Sequence, residues 1–409
     1  MPNGKFMKFK IKIICTAIII IIIGISLFHK IKYAPKVINP NVDIKVGSSK
    51  FELVETNMIA FLMDSVTSPS DVQYFEFFID SKKNQYLTLL NSSRLKIYFY
   101  NLSTGLQTHS ISLENYGFTM NDKVQGFHFI NDDSLFVYGY NSYKLSLLNL
   151  KTGIIFSKTL VTDDNDNQYN IYPYISTRTP IIFDRKRNEL YLTGVSSDEG
   201  GTYSNDQLRR ILVNFNINGG IVQEYVRYPK FYWGKNWGGA GGFRQTFIEQ
   251  NNKSEIALSF MADHYIRVFN QITKTVKRMY AGSKYIDTIE SLPYSTNYFD
   301  FINSYDIYRY YLGTASYSVI KYDKYRNVYY RIAELPNPHP EITSFQGRYK
   351  NKSVIILDSA FNKVGETLLP NYILDINNSF ISPEGFNIKE FDKIDSDTLK
   401  FHILKLKSR

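Results

Sequence analysis

Residues able to do chemistry are sparse in this chain, and their spacing points to recognition more than to reaction. Both tryptophans, Trp233 and Trp237, fall in one glycine-rich stretch, FYWGKNWGGAGGFRQ at 231–245, beside Tyr232. Planar rings on a loop of that kind can stack on a sugar or grip a partner, and the glycines let a ligand or another backbone come close. Four further residues, Glu76, His128, Arg178 and Arg244, lie where first strands of repeated sheets are expected to approach a common axis. They form a mixed set of charges in which two arginines suit an anionic group.

Other constellations fail on spacing. The six histidines, at 29, 109, 128, 264, 339 and 402, make no HExxH pair, and no GxSxG elbow occurs. TDDNDNQYN at 162–170 offers Asp163, Asp164 and Asp166 to a hard cation. The glycine and glutamate that an EF-hand loop requires are replaced by Gln168 and Tyr174. SSDEGGTY at 196–203 is similar to the Asp-box turn of sialidase propellers, which is a structural turn in those proteins. No catalytic residue, metal or cofactor is therefore expected.

The elements that must position these residues are strands. Short runs rich in Tyr, Phe, Val, Ile and Leu follow one another without a sustained 3.6-residue period, so helices should be few. Runs come in fours. FEFFID, QYLTLLN, RLKIYFYN and LQTHSISL make one set, and GFHFIND, SLFVYGY, YKLSLLNL and GIIFSKTL make the next. The hinge YNLSTG returns as LNLKTG, with Gly105 and Gly153 closing the turns. First-to-second-strand turns at about Asp80, Asn131, Asp184, Asn251, Asp323 and Pro383 recur at intervals of 51 to 72 residues. Four strands per unit at this period predict a β-propeller, whose sheets must stack because none can cover both its faces alone.

Six blades are predicted, over 75–113, 126–160, 178–228, 243–280, 317–369 and 379–406. The last has only three clear strands. KFELVETNMIAFLMD, Lys50 to Asp64, is expected to supply its fourth and to remove an exposed sheet edge. The fold class is thus all-β, a six-bladed propeller over 50–406. Two long connectors, 229–242 and 283–316, exceed a minimal blade and are candidates for function.

The formal charge of +10 would suit nucleic acid, but residues 1–36 carry seven lysines and no acid, which leaves only +3 for the remainder. A nucleic-acid role is excluded on that balance. The lysines bracket an apolar run, Ile13 to Phe28, that follows a basic tail over 1–12. As a helix its 16 residues span about 24 Å, slightly short of a ~30 Å hydrocarbon core. It reads as a transmembrane signal anchor, or alternatively as a signal peptide cut after Gly24-Ile25-Ser26, with 29–49 as a linker. Either way the bulk of the chain is expected outside the cytoplasm, in the cell envelope or secreted. Cys15, the only cysteine, precedes most of the apolar run, where a lipidated cysteine would follow it.

The extracytoplasmic part resembles the six-bladed propeller family of Bacteroidetes known as domain of unknown function 4221, within the TolB-like and NHL-like propellers. YSVIKYDKYRNVYYRIAEL at 317–335, SVIILDSAFNKVGETLLP at 353–370 and FISPEGFNI at 380–388 carry the resemblance, which covers about Phe51 to Leu406. Many members are envelope lipoproteins, and this chain lacks their cysteine site. The family implies no activity. The expectation is a membrane-anchored, monomeric, non-enzymatic binding or scaffold module for a protein or glycan partner. A hydrolase or lyase acting on envelope glycans from the propeller channel is the alternative.

Overall fold

The computed structural model describes residues 3–33, 35–44, 49–64, 67–69, 72–160, 171–196, 210–238, 243–294, 304–338, 349–369, 374–391 and 397–409. The Asp-box-like 197–203 and the acidic 162–170 lie outside the described residues. A helix, α1 (Asn3–Lys32), leads into the short strand β1 (Ile38–Pro40) and then β2 (Phe51–Leu62).

Sheets of four antiparallel strands follow in chain order. They are β3 (Val72–Ile79), β4 (Gln85–Asn91), β5 (Lys96–Asn101) and β6 (Gln107–Ser112), then β7 (Val124–Asn131), β8 (Ser134–Gly139), β9 (Lys144–Asn149) and β10 (Gly153–Thr159). A five-stranded sheet comes next, with β11 (Ile171–Pro173), β12 (Ile182–Asp184), β13 (Glu189–Ser196), β14 (Arg210–Asn216) and β15 (Val222–Arg227). β11 and β12 both pair with β13. Beyond it stand β16 (Thr246–Gln250), β17 (Glu255–Phe260), β18 (Tyr265–Asn270) and β19 (Val276–Tyr280), and then the short β20 (Thr288–Glu290). A helix, α2 (Ser304–Gly313), precedes β21 (Ser316–Asp323), β22 (Val328–Glu334), β23 (Lys352–Asp358) and β24 (Lys363–Leu368). The chain ends in β25 (Leu374–Ser382), β26 (Gly385–Glu390) and β27 (Thr398–Ser408). The arrangement is mostly β and propeller-like.

One turn device recurs throughout. At the first-to-second-strand turns, an Asp or Asn side-chain oxygen accepts backbone N–H groups two to four residues on: Asp80 from Asn84, Asn131 from Asp133, Asp184 from Lys186 and Arg187, Asn251 from Lys253 and Glu255, and Asp323 from Tyr325 and Arg326. The third-to-fourth-strand turns repeat it with Asn101, Asn149, Asn216, Asn270 and Asp358. Gly105, Gly153 and Gly220 then take positive φ of 69°, 93° and 64°. The repeated polar clumps of the sequence are these caps.

β2 pairs along its length with β27, from Phe51 opposite Ser408 to Leu62 opposite Thr398, across a bulge at Thr56. Its start also lies parallel to β24, Phe51 beside Gly365, so the last two sets of strands form one eight-stranded sheet. Glycine is required there, because a Cβ on Gly365 would stand 2.2 Å from the Phe51 carbonyl oxygen.

Apolar faces meet between sheets in four core clusters. A fully buried arginine, Arg331 on β22, fastens its sheet to the preceding one. Its Nε donates to Ser259 Oγ at 2.9 Å, Nη1 to the Ala281 carbonyl at 2.9 Å, and Nη2 to the Phe260 and Asp263 carbonyls at 3.1 and 2.7 Å. The Tyr317 ring lies 3.8 Å from the guanidinium.

Two expectations about the N-terminal region change. The stretch read as a linker, 29–49, contains β1, which pairs with β20 over Ile38–Glu290 to Pro40–Thr288. Asparagine explains the docking: Asn39 Nδ2 donates to the Ala262 carbonyl at 2.6 Å, and Asn41 Nδ2 to the Ser283 and Ile286 carbonyls at 2.8 Å each. Concerning the transmembrane reading of 13–28, among the described residues no helix is long and apolar enough to cross a membrane.

Candidate functional site

The first strands β3, β7, β12, β16, β21 and β25 converge on one cavity of about 370 Å³. Each enters with a mostly apolar face, because its alternate residues pack between neighbouring sheets. Charged residues inside such strands therefore stand out, and four of them meet here: Glu76, His128, Glu249 and Lys321.

They form two pairs. Glu76 Oε1 lies 2.8 Å from His128 Nδ1, while its Oε2 accepts the Phe129 N–H at 3.2 Å. Glu249 Oε2 lies 3.4 Å from Lys321 Nζ, which also donates to the Thr177 carbonyl at 2.8 Å. Burial pushes the Glu249 carboxyl up, and the Lys321 ammonium opposes the shift. Both carboxylates act on Tyr74 in the cavity wall, whose phenol is pushed well above its ordinary value by burial and then by Glu76 and Glu249. On the far side Phe77 and Phe380 stack with centroids 6.0 Å apart at 15°.

Of the expected site residues, Glu76 and His128 are brought together in this cavity. Arg178 follows the cavity residue Thr177, with Nη1 donating to Asn377 Oδ1 at 3.0 Å and the guanidinium 5.1 Å from the Phe247 ring. Arg244 is 2% exposed and donates Nη2 to the Lys235 carbonyl at 3.0 Å, which fixes it within its own loop. The aromatic residues of that loop turn inward. Tyr232 and Trp237 are both 0% exposed, so neither can stack on a ligand. Tyr232 donates to the Phe243 carbonyl and accepts the Ala262 N–H, and half-buried Trp233 gives its indole N–H to the Tyr228 carbonyl at 3.1 Å. The rings close the edge of the sheet because burying them removes a large apolar area from water.

Sequence reasoning missed Glu249 and Lys321. Their signal was a lone charge within an apolar first strand, TFIEQ and SYSVIKYD, two residues before the capping Asn251 and Asp323. A larger crevice of about 560 Å³ runs between β2, β27 and the turns of β4 and β5. Two of its amides are committed to turns, since Asn84 bonds Asp80 and Asn101 caps Ser103 and Thr104. A third polar cluster is sealed: Lys350 Nζ donates to Ser316 Oγ at 2.8 Å and lies 3.5 Å from Glu334, with side chains 2% and 5% exposed. Burial pushes the Lys350 ammonium down to about 8. Among the described residues no group of three or more His, Cys, Asp or Glu could hold a metal ion.

Comparison with known proteins fits this geometry. The model of a domain of unknown function, DUF4221, matches residues 50–368. A DUF4221 family member from Bacteroides vulgatus superposes with a TM-score of 0.72 at 20% identity, covering 89% of this chain and 100% of that one. Looser likeness extends to the calcium-binding protein regucalcin of Agrobacterium tumefaciens, with a TM-score of 0.42 at 10% identity over 86% of this chain and 96% of that one. No curated protein matches the chain.

Proposed function

Since this chain belongs to the DUF4221 family, whose function is unknown, its role rests on its own site, and we propose a six-bladed propeller that binds a polar ligand in its axial cavity. One observation carries the reading: six first strands line a single cavity in which each carboxylate has its own basic partner, His128 for Glu76 and Lys321 for Glu249. Paired charges leave hydrogen-bonding capacity without a strong net field, and Phe77 beside Phe380 adds an apolar ring surface. That combination suits an uncharged glycan, free or carried on a protein. Glycan-array binding of the wild-type chain and Phe77→Ala tests it. Loss of about tenfold or more in affinity is expected for the variant. No captured glycan, or equal capture by both proteins, would end the reading.

The six-blade count is supported by the six first strands, and the pairing of β2 with β27 supplies the fourth strand of the last blade from within the chain. In-chain closure supports a monomer. The propeller lies outside the cytoplasm, with the exposed apolar residues of α1 from Ile14 to Phe28 seated in a lipid surface. Support for this comes from Ile18 to Ile23, six consecutive residues each at least 50% exposed, because a helix apolar on all sides is covered by lipid more readily than by one partner surface. The mass of the mature chain separates this from cleavage after Ser26.

A hydrolytic reading has one observation in its favour, the presence of Glu76 and Glu249 in the same cavity with Glu249 raised by burial, as a general acid requires. Reducing-sugar release from glycans captured on the array, abolished by Glu249→Gln, would establish it. Capture without release leaves the binding role alone.

A further inference from the structure

We infer that the edge formed by β1, β20 and the outer face of α2 rests on the lipid surface that α1 enters, so that the propeller is held against the membrane instead of hanging from a tether. The inference builds on the reading of α1 given above. It starts from the absence of slack. At the end of α1 the Tyr33 N–H bonds the His29 carbonyl at 2.8 Å, and Tyr33 forms an isolated β-bridge with Tyr294, their rings 5.9 Å apart. The same antiparallel track continues into β1 and β20. Lys36 Nζ lies 3.0 Å from Glu290, and Val37 and Ser291 exchange two hydrogen bonds of 2.9 Å. His264, buried in the next sheet, holds the Asn39 carbonyl at 3.0 Å. A chain so bonded within a few residues of its apolar helix cannot swing far from it.

The same track fixes α2. Tyr310 donates to the Glu290 carbonyl at 2.8 Å, four residues from Tyr294, which places this contact within about 13 Å of the end of α1 along an extended strand. With Tyr310 turned inward, the opposite face of α2 presents Tyr305, 49% exposed, with the Arg309 guanidinium 5.5 Å from its ring. Tyrosine with arginine or lysine is the chemistry of a membrane–water boundary, where the ring sits among headgroups and the cation meets phosphate. Tyr33 at 43% exposure, with the Lys32 ammonium 5.2 Å from its ring, repeats that pairing where α1 leaves its apolar run. Two such pairs at one edge are what a surface lying flat on lipid needs.

The test uses the full chain with Cys15→Ser, carrying Tyr305→Cys or, as a second variant, Arg309→Cys, each labelled with an environment-sensitive fluorophore. Ile155→Cys on β10, in a different sheet, is the control. Proteins are reconstituted into vesicles of phosphatidylethanolamine and phosphatidylglycerol, with quencher placed on the lipids near the headgroups. Labels on α2 should be quenched at least about threefold more than the label on β10, without any second protein present. Flotation with the vesicles but equal quenching at all three positions would overturn the inference while leaving the membrane reading intact. Failure to float would remove both.

Discussion

Replacing Arg331 with methionine should cost the protein several kcal/mol, although the substitution deletes a buried charge. The opposing effects can be weighed. Burial pushes the Arg331 guanidinium down to about 10, so its charged form is disfavoured in the folded chain by a few kcal/mol relative to water, and a naive count predicts stabilisation on its removal. Its partners decide otherwise. Four fixed acceptors, Ser259 Oγ and the carbonyls of Ala281, Phe260 and Asp263, surround the guanidinium, and methionine leaves all four without it. At about 2 kcal/mol for each buried acceptor left without its charged donor the gross cost is about 8 kcal/mol, and about 4 kcal/mol of loss remains once the desolvation gain is returned. Two sheets also lose their joint, since Arg331 lies on β22 and every acceptor on the β17–β19 side.

For about 360 folded residues at ~2.1 cal/mol/K each, that loss lowers Tm by about 5 °C. Calorimetry at pH 7 of the wild type, Arg331→Met and Arg331→Lys measures it. Lysine keeps the charge but has three donors for four acceptors, so it should fall between the other two. Lys151→Met, which removes an exposed ammonium, should leave Tm unchanged. If Arg331→Met melts within about 1 °C of the wild type, the four bonds contribute little and the reasoning fails.

Three further outcomes follow from the same physics. His264 is held neutral, its folded value pushed down to about 4 mainly by burial, so the unfolded chain takes up the proton first as pH falls. Stability from this group is full above about 6.5 and is lost as pH falls toward 4, amounting to about 2 kcal/mol by pH 5; urea titrations should show that slope in the wild type and a shallower one in His264→Asn. Gly365→Ala should break the contact between β2 and β24, because the new Cβ would meet the Phe51 carbonyl at 2.2 Å, and a loss of about 2 kcal/mol or more is expected by denaturant melting. An unchanged midpoint would show that β2 can shift freely. Lys321→Met leaves Glu249 without its cation and should cost about 2 kcal/mol at pH 7, shrinking at pH 5 as the raised carboxyl takes a proton; a penalty that grows on acidification contradicts the pairing.

Much of the fold was legible because its turns are local. An Asp or Asn that caps the backbone two to four residues later leaves its mark in the sequence, as Asp80, Asp184 and Asp323 do. β2 was legible for a different reason, since a last set with three strands leaves an edge and a spare strand stood upstream. The helix α2 was missed within a connector, because its inward face shows only in the packing of Tyr310 and Tyr311 on Phe243. Trp237 was hard to place because glycines around a ring fit an open mouth and a tight corner equally well. Only packing distinguishes them, and Trp237 has no exposed surface. β1 escaped because three residues carry no period, and its docking depends on two asparagines reaching carbonyls more than two hundred positions away.

Buried charge serves two purposes in this molecule, and the way each group is satisfied separates them. Arg331 spends its donors on neutral acceptors from a neighbouring sheet, is wholly enclosed, and can only hold that sheet in place. Lys350 is likewise enclosed with Glu334 and Ser316. The pairs on the axis differ. Glu76, His128 and Glu249 keep a fifth to a quarter of their side-chain surface exposed, toward a space large enough for a sugar ring. Strands that need apolar residues for packing carry these charges at a cost in desolvation, and a packing role alone would be met by apolar residues of similar volume. Phe-lined walls around partly open carboxylate pairs are the arrangement that a polar ligand can use, since it can bond the spare lone pairs without first breaking either pair. A variant with Glu76→Met and His128→Leu together should therefore lose ligand capture while Tm falls by no more than about 1 °C, the cost of leaving the Phe129 N–H without its acceptor. If it loses Tm by several degrees instead, the pair is a fastening like Arg331 and the axial cavity is not the site.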